Sequence, residues 1–313
     1  MTHYILKRLI QLIPILFGIT FLSFAMMRIA GGDAVTYKYE NAGTAVSQDV
    51  IDEAKKEYGL DKPFIVQYAN WLGGVLTGDM GTSYVSGADV SGEIISKLPN
   101  TILLTAVSLI LTMLIAMPLG IISAVKRGRW IDYLIRIGSF AGNSMPNFFV
   151  ALLFMYFLAV KLKWLPVITN SNKLISLILP VLTLTVSMAA KYTRQIRVAV
   201  LEELNKDYVI GARSRGIRYS TILTRSVIKS CMPSLLTLIS MSAGNLLGGA
   251  AIVETIFMWD GVGKLAVDAI SMRDYPVVQA YVVWMAVIYV VINLITDILY
   301  HYLDPRVRLG GER

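Results

Sequence analysis

The sequence predicts an all-α membrane protein with six transmembrane helices, on three observations. Apolar residues gather in runs of about twenty, the length that crosses ~30 Å of hydrocarbon. Hydrophobic residues make up 55% of the 313-residue chain and charged residues only 16%, and the mean hydropathy is +0.61. Soluble globular proteins carry about 25% charged residues. The basic residues stand mostly beside the apolar runs, which suits orientation in a bilayer better than nucleic-acid binding, despite a formal charge of +8. The single cysteine, Cys231, excludes an internal disulfide and reads as a small packed hydrophobe.

The first span is Leu9–Ile29. Lys7 and Arg8 precede it, but the apolar stretch is longer than a signal core and no clear cleavage pattern follows Arg28, so it is expected to stay as an anchor. Residues 31–99 come next, an extracellular segment with ten acids and five lysines. Its aromatic set, Tyr37, Tyr39, Tyr58, Phe64, Tyr68, Trp71 and Tyr84, predicts a small folded cap. The second span is Asn100–Ser123 and contains Pro118. The third, Leu134–Val160, is interrupted at Ser144-Met145-Pro146. Asn143 and Asn147 flank that break, and intramembrane amides usually face a bundle interior or a wet path. Asn143, Met145 and Asn147 are therefore candidate path residues.

The fourth span is Leu174–Tyr192, with Pro180 inside it. A basic segment follows, 193–230, and then a fifth span, Pro233–Ile256. Asn245 lies in that span as a further path candidate, between Gly244 and Gly248, whose spacing lets another helix approach closely. The sixth span is Val277–Tyr300, and residues 301–313 form a tail. With both termini in the cytoplasm, 18 of the 29 basic residues fall inside. The loop Lys161–Lys173 places three lysines outside, against that trend. Reversing the chain would translocate many more charges.

Within 193–230 the stretch Asp207–Gly216, DYVIGARSRG, stands out. It is polar and basic between apolar runs, and long enough for about two helical turns. Asp207 suits the N-cap, where its carboxylate can accept a free backbone N–H. Gly216 suits the position after the helix, where the backbone turns through positive φ. A capped helix there, carrying Arg213 and Arg215, is a candidate docking element. Catalytic patterns are missing. The two histidines, His3 and His301, lie near the termini. Gly261-Val-Gly-Lys264 imitates the tail of a phosphate loop, but Met258 stands where that loop needs glycine and Leu265 where it needs Ser or Thr. Any nucleotide hydrolysis must come from another polypeptide. An ion-coupled transporter or channel is the competing class. It would call for buried carboxylates or histidines, and only Asp297 in the sixth span is available.

The segment Asp207–Gly216 resembles the coupling loop of binding-protein-dependent ABC importer permeases. Ile210-Gly211-Ala212 stands where many members have Glu-Ala-Ala, Gly216 matches the loop glycine, and Pro233 the proline near the next span. The missing acid at the first position is shared with the peptide/nickel branch. Tyr58-Gly-Leu-Asp-Lys-Pro63, Gly78-Asp-Met-Gly-Thr-Ser83, Ser144-Met-Pro-Asn-Phe148, Trp164-Leu-Pro166, Glu254-Thr-Ile-Phe257, Gly261-Val-Gly263, Arg273-Asp-Tyr-Pro276 and Asp304-Pro-Arg306 resemble that branch's segments in order. The wording is most similar to nickel permeases.

The resemblance implies a type I ABC importer permease (MetI-like) core of five helices, 100–300, with an extracellular insertion after the first helix. It places the chain in a bacterial or archaeal inner membrane. Its partners would be a second, homologous permease, two ATPase subunits and an extracytoplasmic substrate-binding protein. ATP and magnesium would bind in the ATPases, and no cofactor in this chain. The path between the two permeases would carry nickel, free or chelated, or short peptides. Asp207, Tyr208, Ile210, Gly211, Ala212, Arg213, Arg215 and Gly216 would couple it to the ATPases.

Overall fold

The computed structural model describes residues 2–29, 35–36, 47–167 and 173–303. These form helices and no strand; Thr82 and Asp89 make an isolated antiparallel bridge. The chain divides into two compact units, Met1–Ile102 with Asp260–Val291, and Leu103–Trp259 with Ile292–Arg313.

The first unit begins with α1, Thr2–Ile29, followed by α2, Gln48–Glu57, and α3, Phe64–Thr77. Aromatic residues one helical turn apart bind α3 to α1. Phe21 and Phe24 meet Tyr68 edge-on, each at 5.4 Å, and Phe24 meets Phe64 at 5.2 Å. Such pairs add about 0.5–1.5 kcal/mol each beyond their buried area. Thr20 and Tyr68 share a buried hydroxyl–hydroxyl bond of 3.0 Å. Arg28, near the end of α1, donates to Gln67 of α3. Of the aromatic set expected to build a cap, Phe64, Tyr68 and Trp71 pack on α1, and Tyr58 and Tyr84 pack on each other; Tyr37 and Tyr39 lie outside the described residues.

Two segments read separately in the sequence meet in this unit. Ser83, ending Gly78-Asp-Met-Gly-Thr-Ser83, donates to Asp274 at 2.5 Å, and the Tyr84 N–H donates to the same carboxylate at 3.1 Å. Asp274 belongs to Arg273-Asp-Tyr-Pro276. Lys97 pairs with Asp260, and the Val262 N–H donates to Thr101 at 2.9 Å. These contacts fix the start of α4, Val90–Val125, against α12, Val262–Ser271, and the first turns of α13, Tyr275–Leu303.

The second unit is built around α7, Lys173–Leu204. Before it run α5, Trp130–Ser144, and α6, Asn147–Phe154, which continues as a π-helical stretch Met155–Lys161. After it come α8, Asp207–Ser214, and α9, Tyr219–Ile222. A π-helical stretch, Leu223–Val227, leads into α10, Ile228–Gly249, followed by α11, Ala251–Ile256. One core gathers Leu104, Leu179, Leu184, Val253, Phe257 and Trp259; a second gathers Tyr192, Ile196, Val200, Val209, Ile222 and Val227. Asp132 of α5 takes two bonds from Arg197 of α7, at 2.8 and 2.9 Å, one from Ser123 at 2.5 Å and one from the Gly128 N–H at 3.0 Å. The carboxylate is 1% exposed and fully satisfied, the condition under which a buried ion pair is tolerated.

Among the described residues, Val90–Val125, Lys173–Leu204, Tyr219–Gly244 and Tyr275–Leu299 are long and apolar enough to cross a bilayer. The pair α5 and α6, bent by 100°, would form one more. The bend has a local cause. Pro146 lacks the N–H that would continue α5, and it forces Met145 into an extended conformation, φ −93° and ψ 129°.

The structure moves several expected boundaries. The second span, expected to begin at Asn100, belongs to a helix that starts at Val90, inside the segment assigned to the cap. The fourth, expected to end at Tyr192, runs on to Leu204. The fifth, expected to begin at Pro233, has that proline inside a helix starting at Ile228, and it breaks at Ala250. Most of 193–230 is therefore helical. Apolar content marks the membrane, whereas helices end where caps and turns end them.

Candidate coupling helix and cavity

The helix α8 forms where the sequence predicts it, with one correction. Asp207 is not the N-cap. Lys206 takes that place, with extended φ −77° and ψ 149°, and its carbonyl accepts the Val209 N–H at 2.9 Å. Asp207 is the first helical residue and makes no side-chain cap. Its charge still favours the positive end of the helix dipole. The cap is displaced because α7 ends only at Leu204, leaving two residues for the turn into α8.

Two residues hold α8 to the unit. Val209 is fully buried and Ala212 nearly so, an i, i+3 pair packed with Ile196, Val200 and Ile222. The Tyr208 hydroxyl donates to Glu203 at 2.9 Å, and Lys206 pairs with the same carboxylate at 2.5 Å. Burial of the hydroxyl, then the Glu203 carboxylate, push Tyr208 up to about 12, so it stays a neutral donor. The other side of α8 is open: Ile210 is 57% exposed, and Gly211, Arg213 and Arg215 are also exposed. The Arg213 guanidinium lies 4.9 Å above the Tyr219 ring, and Arg215 donates from Nε to the Gly211 carbonyl at 3.2 Å.

Gly216 ends the helix as expected, at φ +72°. Its N–H bonds to the Arg213 carbonyl at 2.9 Å and the Ile217 N–H to Ala212 at 3.2 Å, the paired bonds of a Schellman motif. A side chain at 216 would meet nothing within 4 Å. The demand for glycine is therefore conformational, not steric.

Three of the four expected path residues line one cavity of about 410 Å³. Asn143, Met145 and Asn147 come from the bend, facing Ser187, Lys191 and Tyr192 of α7 and Ser242 and Leu246 of α10. The side chain of Asn245 lies outside the described residues. Gly142 allows the approach of α5 to α7, since a Cβ there would stand 2.9 Å from the Ala190 Cβ. Ser187, Lys191 and Ser242 were not expected at this site. The i, i+4 spacing of Ser187 and Lys191 on a span next to the break was the available signal. Among the described residues no group of three or more His, Cys, Asp or Glu side chains is placed to hold a metal.

Comparison with known proteins places the chain. The family described as binding-protein-dependent transport system inner membrane component matches residues 116–309, and its N-terminal companion matches residues 1–105. The oligopeptide transport system permease protein AppB of Bacillus subtilis is 40% identical, over 98% of this chain and 99% of that protein. The metal-staphylopine import system permease protein CntB of Staphylococcus aureus is 34% identical over 100% of both chains. The glutathione transport system permease protein GsiC of Salmonella typhimurium is 37% identical, over 98% of this chain and 99% of that one. A solved inward-facing structure of the MetNI methionine ABC transporter matches with a TM-score of 0.54 at 16% identity, covering 67% of this chain and 96% of that one. The chain belongs to the family of binding-protein-dependent transport system inner membrane components, as a permease subunit of an ABC importer with a MetI-like fold.

Proposed function

We propose that this chain pairs with a second, homologous permease and that the cavity at the α5–α6 bend is its share of the path between them. An extracytoplasmic binding protein delivers cargo to the outer face. Two ATPase subunits seat on α8 of each permease from the cytoplasm. ATP-driven closure of the ATPases draws the two α8 helices together and opens the path outward; hydrolysis returns it to the inward-facing form. In this reading the chain crosses the inner membrane six times with both termini inside, carries the segment after its first span on the outer side, and performs no covalent chemistry. The relatives are named for oligopeptides, glutathione and metal-staphylopine. By analogy the cargo is a short peptide or a chelated metal, with nickel as the metal suggested by sequence wording.

The observation that carries the coupling role is the design of α8. It is anchored by Val209 and Ala212, closed rigidly at Gly216, and leaves Ile210 and its neighbours without a cover in this chain. Cysteine at Ile210, in the assembled importer, should crosslink to an ATPase subunit, with a yield that changes between ATP-bound and nucleotide-free states. Absence of any crosslink in an assembly that transports would remove α8 from this role.

A further inference from the structure

The cavity at the bend has a sign. Lys191 lines it, is exposed to it, and has no carboxylate partner among the described residues. Its ammonium lies over the Tyr192 ring, 5.9 Å from the centroid. Tyr192 itself is occupied, its hydroxyl bonded to Ser242. One helical turn before Lys191, the Ser187 hydroxyl is buried and makes no hydrogen bond. A buried, unpaired hydroxyl costs free energy unless a ligand or water satisfies it. The amides of Asn143 and Asn147 line the same space. Among the described residues the cavity thus gathers one uncompensated cation and several uncharged hydrogen-bonding groups, and no acid.

We infer that Lys191, with Ser187, Asn143 and Asn147, forms a carboxylate subsite that makes this half of the path selective for anionic organic cargo. This rests on the reading of the cavity as path. A carboxylate takes charge-assisted bonds from an ammonium and further bonds from hydroxyl and amide donors. Cationic side chains lining a pore favour anions in the same way. A bare divalent cation meets the opposite: repulsion from Lys191, with no carboxylate, imidazole or thiolate on the cavity to replace its water. A metal passes this point as the complex of a carboxylate-bearing chelator, and a peptide passes through its terminal carboxylate. The amides and hydroxyls hold without fixing a side chain, as release requires.

Two readouts test this on the complete importer in proteoliposomes. In the first, Asn147→Cys is modified by anionic and cationic methanethiosulfonates of similar size, with the importer lacking that cysteine as the background; this chain's own Cys231 is 4% exposed. The anionic reagent should react faster by about threefold or more, through local concentration in the field of Lys191. Lys191→Gln should bring the ratio to near one, and Lys191→Glu should invert it. A ratio unaffected by these changes overturns the subsite. In the second, uptake of trialanine is compared with its C-terminal amide and with radioactive nickel chloride. Wild type should prefer the free acid; Lys191→Gln should lose that preference, and Lys191→Arg should keep it. Full preference retained in Lys191→Gln overturns the assignment while leaving the importer intact. If wild type imports neither peptide nor a carboxylate-chelated nickel, the proposed function fails, whatever the thiol ratio shows. Co-purified ATPase and membrane yield serve as folding controls for every variant.

Discussion

Thr20 and Tyr68 share a buried hydrogen bond although 48 positions separate them. Thr20 stands within α1, about 13 Å from its C-terminal end at 1.5 Å per residue. The Tyr68 hydroxyl therefore meets α1 well inside its length, within the apolar stretch Ile13–Ile29. The helix carrying it, α3, holds no charged residue and has 14 residues, too few to span and suited to an interfacial or re-entrant position. Ile65, Val66 and Leu76 are exposed on it. We expect α3 to lie in the outer half of the membrane, within a segment that the sequence assigns wholly to the outside. Cysteine at Ile65 or Leu76 should react with a lipid-soluble maleimide and resist an impermeant one, while cysteine at Lys62 reacts with both. Ready labelling of all three by the impermeant reagent would place α3 in water. Tyr68→Phe should cost about 0.5–1.5 kcal/mol through the lost bond.

The Asp132–Arg197 pair yields a second expectation. Removing one partner leaves a buried charge without compensation, at a cost of roughly 3–5 kcal/mol. Asp132→Asn and Arg197→Met should each lower the thermal stability of the purified complex strongly. The double variant should be less damaged than the sum of the singles, because neither charge is then stranded. Strict additivity in a denaturation series would mean the two groups act independently.

Gly216 should be sensitive to shape in a graded way. Alanine at positive φ costs about 1–2 kcal/mol, and a β-branched residue more. Gly216→Ala should reduce uptake moderately. Gly216→Val should nearly abolish it, with the permease still in the membrane and the binding protein still docking. Arg213→Ala should be milder, since its exposed guanidinium gains only about 0.5–1 kcal/mol from the Tyr219 face. ATPase retention measured beside uptake checks the order; equal uptake in Gly216→Val and wild type would show that the end of α8 transmits nothing.

Gly142 and Ala190 should behave as a complementary pair. Gly142→Ala brings two methyl groups to 2.9 Å and should destabilise by about 1–3 kcal/mol, as overpacking does. Ala190→Gly in the same chain should restore part of that loss and return transport. If the second change adds further damage, the close approach of α5 to α7 is not the source of the effect.

The part of this protein legible without coordinates is the part set within a turn or two of chain. Runs of twenty apolar residues announced the four helices that are long and apolar enough to cross a bilayer, and the bent pair α5 and α6. Pro146 announced the break in the third, because proline withdraws a donor and constrains the residue before it. Gly216 announced the end of α8, because positive φ is nearly free only for glycine. Even the error at Asp207 was local: the right kind of residue, one position past the cap. Other features follow from rotation and depth, which no local pattern encodes. Whether Arg197 meets Asp132, Ser83 meets Asp274, or Tyr68 reaches Thr20 depends on which face each helix turns to its neighbour and how far it has slid along it. Lys191 shows the difference most plainly. As a letter near the end of a span it counted as one more inward charge; the bend at Met145 and Pro146 brings two amides to the same cavity and makes it the cation of a site. Helix formation is decided over single turns, but the company a side chain keeps is decided by packing across the whole unit.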